Sequence, residues 1–310
     1  MIELKNISKN FGSNQALDKI SFSVKKGEIL GFLGPNGAGK TTALKIITSF
    51  WPQDEGQVSI DGQDTLKNSL KTRSKIGYLP ETVPLYEDMT VREYLKFVAQ
   101  VRKLKKDSIS SRIKEVAGSC GLTEVLRKPI EELSKGYRQR LGLAQAIIHE
   151  PEVLILDEPT TGLDPNQIVE IRDLIKKIGR EKTIIFSTHI LSEVSAVCDR
   201  VIIINKGQIV GEGTPEEITN KVGSSESFYI KIKGDKDKIL DKLKTVEEVK
   251  EVKVEDKESE GVYGYEVIPQ KGSDAREKIS SLIISEGWNI LEFNKKQISL
   301  EDAFRSLTNK

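Results

Sequence analysis

Cysteine is scarce: Cys120 and Cys198 are the only two in 310 residues. Two thiols make neither a disulfide framework nor a four-ligand zinc site. Both sit in apolar stretches and read as small buried hydrophobes in a reducing compartment. Net charge is almost absent too. Lys plus Arg number 48 and Asp plus Glu 47, so the formal charge is +1. A bulk basic charge for wrapping nucleic acid is missing, and no nucleic-acid partner is expected. With 37% hydrophobic residues, the chain also lacks the signature of disorder. No run approaches the ~18 apolar residues of a membrane-crossing helix. The first residues, MIELKNISKNFG, lack the apolar centre of a signal peptide. Long internal repeats and low-complexity tracts are missing as well.

At roughly 150 residues per domain the length suggests two domains, each able to bury a core without cross-links. Residues 1 to 222 are dense in short apolar runs: Ile29–Leu33, Lys75–Leu79, Val153–Leu156, Thr183–Ser187 and Arg200–Asn205. Runs of that length, apolar on both faces, fit strands of a mostly parallel sheet. Helical patterns separate most of them: Lys40–Ser49, Val91–Leu104, Gly136–His149, Asn166–Ile178 and Leu191–Val197. The alternation predicts an α/β layer. Ile2–Ile7 and Ala16–Val24 alternate instead, like an antiparallel edge piece. The texture changes near Gly223-Ser224-Ser225, and residues 223–310 read β-α-β-β-α-β, the ferredoxin-like order, with a short helix over Leu300–Leu307. Trp288, opening the last of these strands, reads as core. Arg102–Lys106 and Lys236–Lys250 carry basic residues interleaved with acids or apolar residues, and read as solvated faces.

Chemistry gathers in the first part. Gly34-Pro35-Asn36-Gly37-Ala38-Gly39-Lys40-Thr41 fits G-x-x-x-x-G-K-[ST] without a gap, between an apolar strand and a helical stretch. At average residue frequencies a chance match in a chain this long has a probability on the order of 1%. The glycines let several backbone N–H groups turn toward one anion, and the helix N-terminus adds partial positive charge. Lys40 supplies a full charge to β and γ phosphates, and the Thr41 hydroxyl suits Mg²⁺. Val153–Leu156 leads into Asp157 and Glu158. One carboxylate there holds Mg²⁺, usually through water, and the second polarises the attacking water as a general base. Thr188-His189 ends another apolar strand. An imidazole at that edge bonds the γ-phosphate and orients water, or is an ordinary helix N-terminal residue. His149 precedes Pro151 and reads as a favourable helix C-terminal residue.

Leu133-Ser134-Lys135-Gly136-Tyr137-Arg138-Gln139-Arg140, before the acidic strand, is not needed by a generic phosphate-loop enzyme. Here the chain resembles the ATP-binding subunit of ABC transporters over residues 1 to about 220. Every segment follows in order: the phosphate loop, Gly77-Tyr78-Leu79-Pro80-Glu81 where the family has its Gln loop, the LSKGYRQR signature, LILDEP, Gly162-Leu163-Asp164 and Ser187-Thr188-His189. The resemblance implies the phosphate-loop ATPase fold with a helical signature subdomain, followed here by a small α+β ferredoxin-like domain. It implies that Gly34 to Thr42 hold the phosphates of ATP, with Thr41 and Asp157 at Mg²⁺. It makes Glu158 the catalytic base and His189 the switch. It implies that Ser134 and Gly136 cap the γ-phosphate held by the other protomer of a head-to-tail homodimer, with Asp164 at the seam. Phe11 matches the aromatic that stacks on adenine; its other reading is a core Phe.

Two positions depart from the family pattern. Glu81 replaces Gln, so it is either a metal ligand in a more negative site or a group facing the membrane subunit. The signature is LSKGY rather than LSGGQ, and Lys135 adds a positive charge. LSKGYRQR with Tyr-Leu-Pro-Glu looks like exporters whose membrane permease is a separate chain. GYLPETVPLYEDMTVREYL and EPTTGLDPNQIVEIR look most like the subunit associated with gliding motility, alongside relatives serving multidrug, sodium, copper or antibiotic export. Such a chain is expected at the cytoplasmic face of the inner membrane, as a peripheral subunit. The domain 223–310 is read as a dimerisation or regulatory module, or as structural ballast. The rival readings are an ABC ATPase acting on a nucleoprotein and a non-catalytic nucleotide-binding regulator.

Overall fold

The computed structural model describes residues 1–222, 227–259, 261–270, 273–296 and 299–308. The expected change of texture at Gly223-Ser224-Ser225 lies outside them. The chain divides into two units between Glu216 and Glu217. That point falls inside a helix, Pro215–Val222, a few residues before the expected 222.

The first unit opens with β1 (Ile2–Phe11), β2 (Asn14–Val24), β3 (Ile29–Leu33), α1 (Lys40–Ile47), β4 (Glu55–Ile60), β5 (Gln63–Asp64), α2 (Ser69–Ser74) and β6 (Ile76–Leu79). Then come α3 (Val91–Val101), α4 (Lys106–Ser119), α5 (Lys135–Ile147) and β7 (Val153–Asp157). It continues through α6 (Pro165–Gly179), β8 (Thr183–Thr188), α7 (Leu191–Val197), β9 (Arg200–Asn205) and β10 (Gln208–Gly213), and ends within the first turn of α8 (Pro215–Val222), most of which belongs to the second unit. The expected antiparallel piece is a four-stranded sheet, β2-β1-β4-β5. The second sheet runs β10-β9-β3-β8-β7-β6. Its strands are parallel except β10, which pairs antiparallel with β9.

The burial pattern explains the fold. All residues of β3, β7 and β8 are buried, as their apolar centres require, and the polar residues at the ends of β7 and β8, Asp157, Thr183, Ser187 and Thr188, are buried with them. In β1, Ile2, Leu4 and Ile7 point inward and pack with Leu30, Phe32, Leu44 and Ile155 between the two sheets. A second cluster joins α3, α4 and α5 to the far face of the larger sheet through Leu95, Ile113, Val116, Leu141 and Leu154. This is the helical subdomain. Its α3 starts on a reciprocal capping box, Thr90 with Glu93. Gly77 in β6 lies so close to α5 that a methyl there would overlap the Ala146 carbonyl. Cys120 is fully buried, whereas Cys198 is half-buried with its sulfur against Gly31. Burial pushes both thiols up, so neither is poised to react.

His149 corrects the sequence reading. It follows α5 but does not act as a helix-terminal cation. Burial, then repulsion by Arg102, pushes its pKa down to about 4, and Nε2 lies 3.0 Å from the Ile76 carbonyl. The unfolded chain protonates it near the ordinary 6.5. The native state therefore binds fewer protons between those values, and stability falls as pH drops from 6.5 toward 4. The loss is of order 2 kcal/mol for a half-buried imidazole. Urea titrations at successive pH values are expected to show this slope, and His149→Gln is expected to flatten it. An unchanged slope in that variant would refute the account.

The second unit contains β11 (Ser227–Lys233), α9 (Lys236–Lys244), β12 (Val249–Ser259), β13 (Val262–Pro269), α10 (Arg276–Ser285), β14 (Asn289–Lys296) and most of α11 (Leu300–Thr308). Its sheet order, β12-β13-β11-β14, is that of a ferredoxin-like domain. Alternate residues Phe228, Ile230 and Ile232 of β11 meet Ile239 and Leu243 of α9 and Ile279 and Ile283 of α10. Trp288 packs against this core. The opposite face is polar: Tyr229 bonds Asp256 at 3.0 Å and Lys231 pairs with Glu258 at 3.0 Å.

Candidate active site

β3 ends in a loop that wraps the start of α1. Gly39 adopts φ 107°, a left-handed conformation, and a Cβ there would lie 2.6 Å from the Ala16 carbonyl. No other residue type fits that position. Lys40, 6% exposed, turns back over the loop. Its Nζ donates to the carbonyls of Gly34 at 2.8 Å and Pro35 at 3.2 Å, and lies 3.2 Å from Glu158 Oε1. A buried ammonium is thus held at the centre of the loop, where an anion would meet it.

β7 and β8 are hydrogen-bonded neighbours, so their carboxyl ends meet beside this loop. Ser187 Oγ donates to Asp157 Oδ1 at 2.6 Å and accepts from the Glu158 N–H at 3.0 Å. Thr41 Oγ1 donates to the same Asp157 oxygen at 3.2 Å. Asp157 Oδ2 is buried with no hydrogen-bond partner. Burial holds this carboxyl above its usual range, opposed by the Ser187 and Thr41 hydrogen bonds and reinforced by Glu81 and Glu158. An orphaned buried carboxylate oxygen beside a threonine hydroxyl fits a hard divalent cation, which would satisfy it.

Glu158 sits at φ 48°, rare for a residue with a side chain. The Ser187 carbonyl and hydroxyl hold its N–H there. The turn aims its carboxylate back across the loop. Oε2 lies 2.8 Å from His189 Nδ1 and accepts from Thr161 Oγ1 at 3.4 Å. Strain of this kind, fixed by surrounding bonds, is found where a side chain must be aimed.

The loop, Glu158 and His189 line one cleft of about 690 Å³, together with Glu81, Thr161, Asn14, Gln15, Lys206 and Phe11. Phe11 is 42% exposed at the end of β1, so it is not a core Phe. Asp157 lies behind this cleft, through Thr41. Ser134, Gly136 and Asp164 are not brought to it. Ser134 caps α5, accepting from Tyr137 N–H at 3.5 Å. Gly136 is buried against Gln167, and Lys135 Nζ lies against Gly162. Asp164 caps α6, accepting from Gln167 N–H at 2.9 Å. Ser187 and Thr161 were missed as site residues. Their signal was adjacency: Ser187 opens the Ser-Thr-His run, and Thr161 is three residues past Glu158.

A family model described as ABC transporter matches residues 17–161. The linearmycin resistance ATP-binding protein LnrL of Bacillus subtilis is 31% identical over 99% of this chain and 98% of its own length. The chain belongs to the ATP-binding proteins of ABC transporters. The bacitracin transport ATP-binding protein BcrA of Bacillus licheniformis is 33% identical over 99% of this chain and 97% of its own. A solved ATP-binding subunit of an ABC transporter superposes with TM-score 0.66 at 30% identity, covering 72% of this chain and 93% of that one. A dimeric cassette in a post-hydrolysis state, bound to ADP and Pi, superposes with TM-score 0.64 at 27% identity, covering 69% of this chain and 98% of that one. Like other ABC subunits, this protein is an ATPase that binds ATP with Mg²⁺. Among the described residues, no helix is long and apolar enough to cross a membrane.

Proposed function

We propose that the protein works as a head-to-tail homodimer, with two ATP molecules between the copies, and powers export through separate membrane permease subunits at the cytoplasmic face. In this reading Gly34, Pro35, Asn36, Gly37, Ala38, Gly39, Lys40, Thr41 and Thr42 hold the phosphates. Thr41 and Asp157 hold Mg²⁺, with Glu81 as a further acidic group on the same cleft. The metal neutralises phosphate charge when bound. Glu158 takes the proton of the attacking water, and His189 orients that water and the γ-phosphate. Phe11 stacks on adenine.

One observation carries the dimer. Ser134 and Gly136 form a helix N-terminus with a hydroxyl, a ready anion site, yet they do not line the cleft of their own chain. A second copy, turned head to tail, brings them to a phosphate. Mixing two inactive chains tests this: Lys40→Met, which lacks the loop cation, and Ser134→Arg, which blocks the signature. Each alone is expected to lose ATPase activity. Together they form one intact site and are expected to regain a readily measured part of the wild-type rate. No recovery on mixing would refute the shared site.

Export is favoured over motility. Two of the relatives that match nearly the whole chain, its C-terminal unit included, are named for linearmycin resistance and bacitracin transport. The likeness to gliding-motility subunits rests on two stretches within the first unit. The second unit then serves as a dimerisation or regulatory module.

A further inference from the structure

α1 begins at the phosphates with Lys40 and ends on a tight reversal. Ser49 is left-handed at φ 56°, and the N–H groups of Phe50 and Trp51 both return to the Lys45 carbonyl at 2.8 and 3.2 Å. This turn lays Trp51 beside the end of β1. Its ring meets Phe11 edge-to-face, with centroids 5.0 Å apart and planes at 66°. The Lys45 ammonium stands over the indole at 4.3 Å from its centroid. The segment after Trp51 is tied to β1 as well. Asp54 accepts from Asn10 N–H at 2.7 Å and pairs with Lys9 at 2.7 Å, while its own N–H donates to the Ser8 carbonyl at 3.0 Å.

We propose that Trp51 is a positioning residue for nucleotide binding: it fixes the Phe11 ring against the helix that holds the phosphates, so base and triphosphate are received at a set separation. The inference rests on Phe11 being the base platform. A half-exposed Phe beside a hairpin has many orientations in water, and stacking on a base requires one of them. Trp51 removes that freedom before the nucleotide arrives, and Lys45 polarises the indole from its other contact. The effect belongs to the base alone, because Trp51 does not line the phosphate cleft. An indole that merely covered the core would affect base and phosphates alike.

The test compares ATP with inorganic triphosphate, which has the phosphates and no base, on the full-length protein. Trp51→Leu is expected to raise the Kd for ATP about 2- to 12-fold, the contribution of one aromatic pair, and to leave the Kd for triphosphate unchanged. Trp51→Phe, which restores an edge-to-face partner, is expected to recover most of the loss. Wild-type tryptophan emission is expected to change on ATP and not on triphosphate, and Trp51→Phe to abolish that change. Equal loosening of ATP and triphosphate by Trp51→Leu, or of neither, would overturn the inference. Phe11→Leu separates it from its premise. If that variant loosens ATP selectively while Trp51→Leu does not, only the positioning role falls. If Phe11→Leu leaves the ratio of the two affinities unchanged, the base platform falls and takes Trp51 with it. Should Trp51→Leu not fold, Lys45→Met in place of it gives the same selective loosening or refutes the role.

Discussion

Glu158→Gln is expected to lower ATP turnover by about 10²- to 10⁴-fold, the span of a general base, while the protein still binds ATP. The amide has the same shape, so the turn at φ 48° and its bonds from Ser187 survive. Its oxygen accepts from Thr161 or His189 much as the carboxylate does. What disappears is basicity: no proton of an attacking water has a place to go. Binding is expected to hold or tighten, because a carboxylate facing the phosphates is gone. The geometry adds a condition on the wild type. Both oxygens of Glu158 are engaged here, one by Lys40 at 3.2 Å and one by His189 at 2.8 Å. In the proposed reading, phosphates that draw Lys40 away would release Oε1 toward water, so the substrate would free the base that acts on it. Measured turnover and equilibrium ATP binding on one preparation decide the matter. Near-normal turnover in the variant would remove Glu158 from the role of base.

The buried strands were legible because the centres of β3, β7 and β8 are apolar on both faces, a pattern that fits burial on both sides. The phosphate loop was legible because glycine at φ 107° beside a carbonyl has no substitute. α4 was not. Its inward residues Ile109, Ile113, Val116 and Ala117 have helical spacing, but serines and lysines between them hide a narrow stripe. β4 was missed for a similar reason, since only Val58 and Ile60 are fully inward in a run with glycine. Strand order was out of reach, because nothing local says that β3 lies between β8 and β9. The pairing of β8 with β7 sets Ser187 beside Asp157 and makes it the residue that bonds both Asp157 and Glu158. His149 shows the same limit. Its place after a helix was readable, but its neutral state depends on burial and on Arg102, which only the folded chain brings about, against the opposing hydrogen bond to the Ile76 carbonyl.

Lys40→Met is expected to weaken ATP binding by about 30- to several-thousand-fold, the equivalent of about 2–5 kcal/mol for removing one member of a buried charge pair. Methionine keeps most of the stem and no charge. Two losses coincide. The phosphates lose a charge-assisted donor in a site shielded from water, and Glu158, 6% exposed, loses the cation beside it. Unlike the effect at Trp51, this one strikes inorganic triphosphate and ATP together, because Lys40 meets phosphate and no base. Lys40→Arg is expected to rescue little. The ammonium sits between the Gly34 and Pro35 carbonyls, a gap set for a compact donor, and a planar guanidinium must either leave it or open the loop. Titrating wild type, Lys40→Met and Lys40→Arg with both ligands separates charge from shape. Parallel loss in both variants places the specificity in the shape of the loop, whereas full rescue by Arg would place it in charge alone and contradict a loop built around one ammonium.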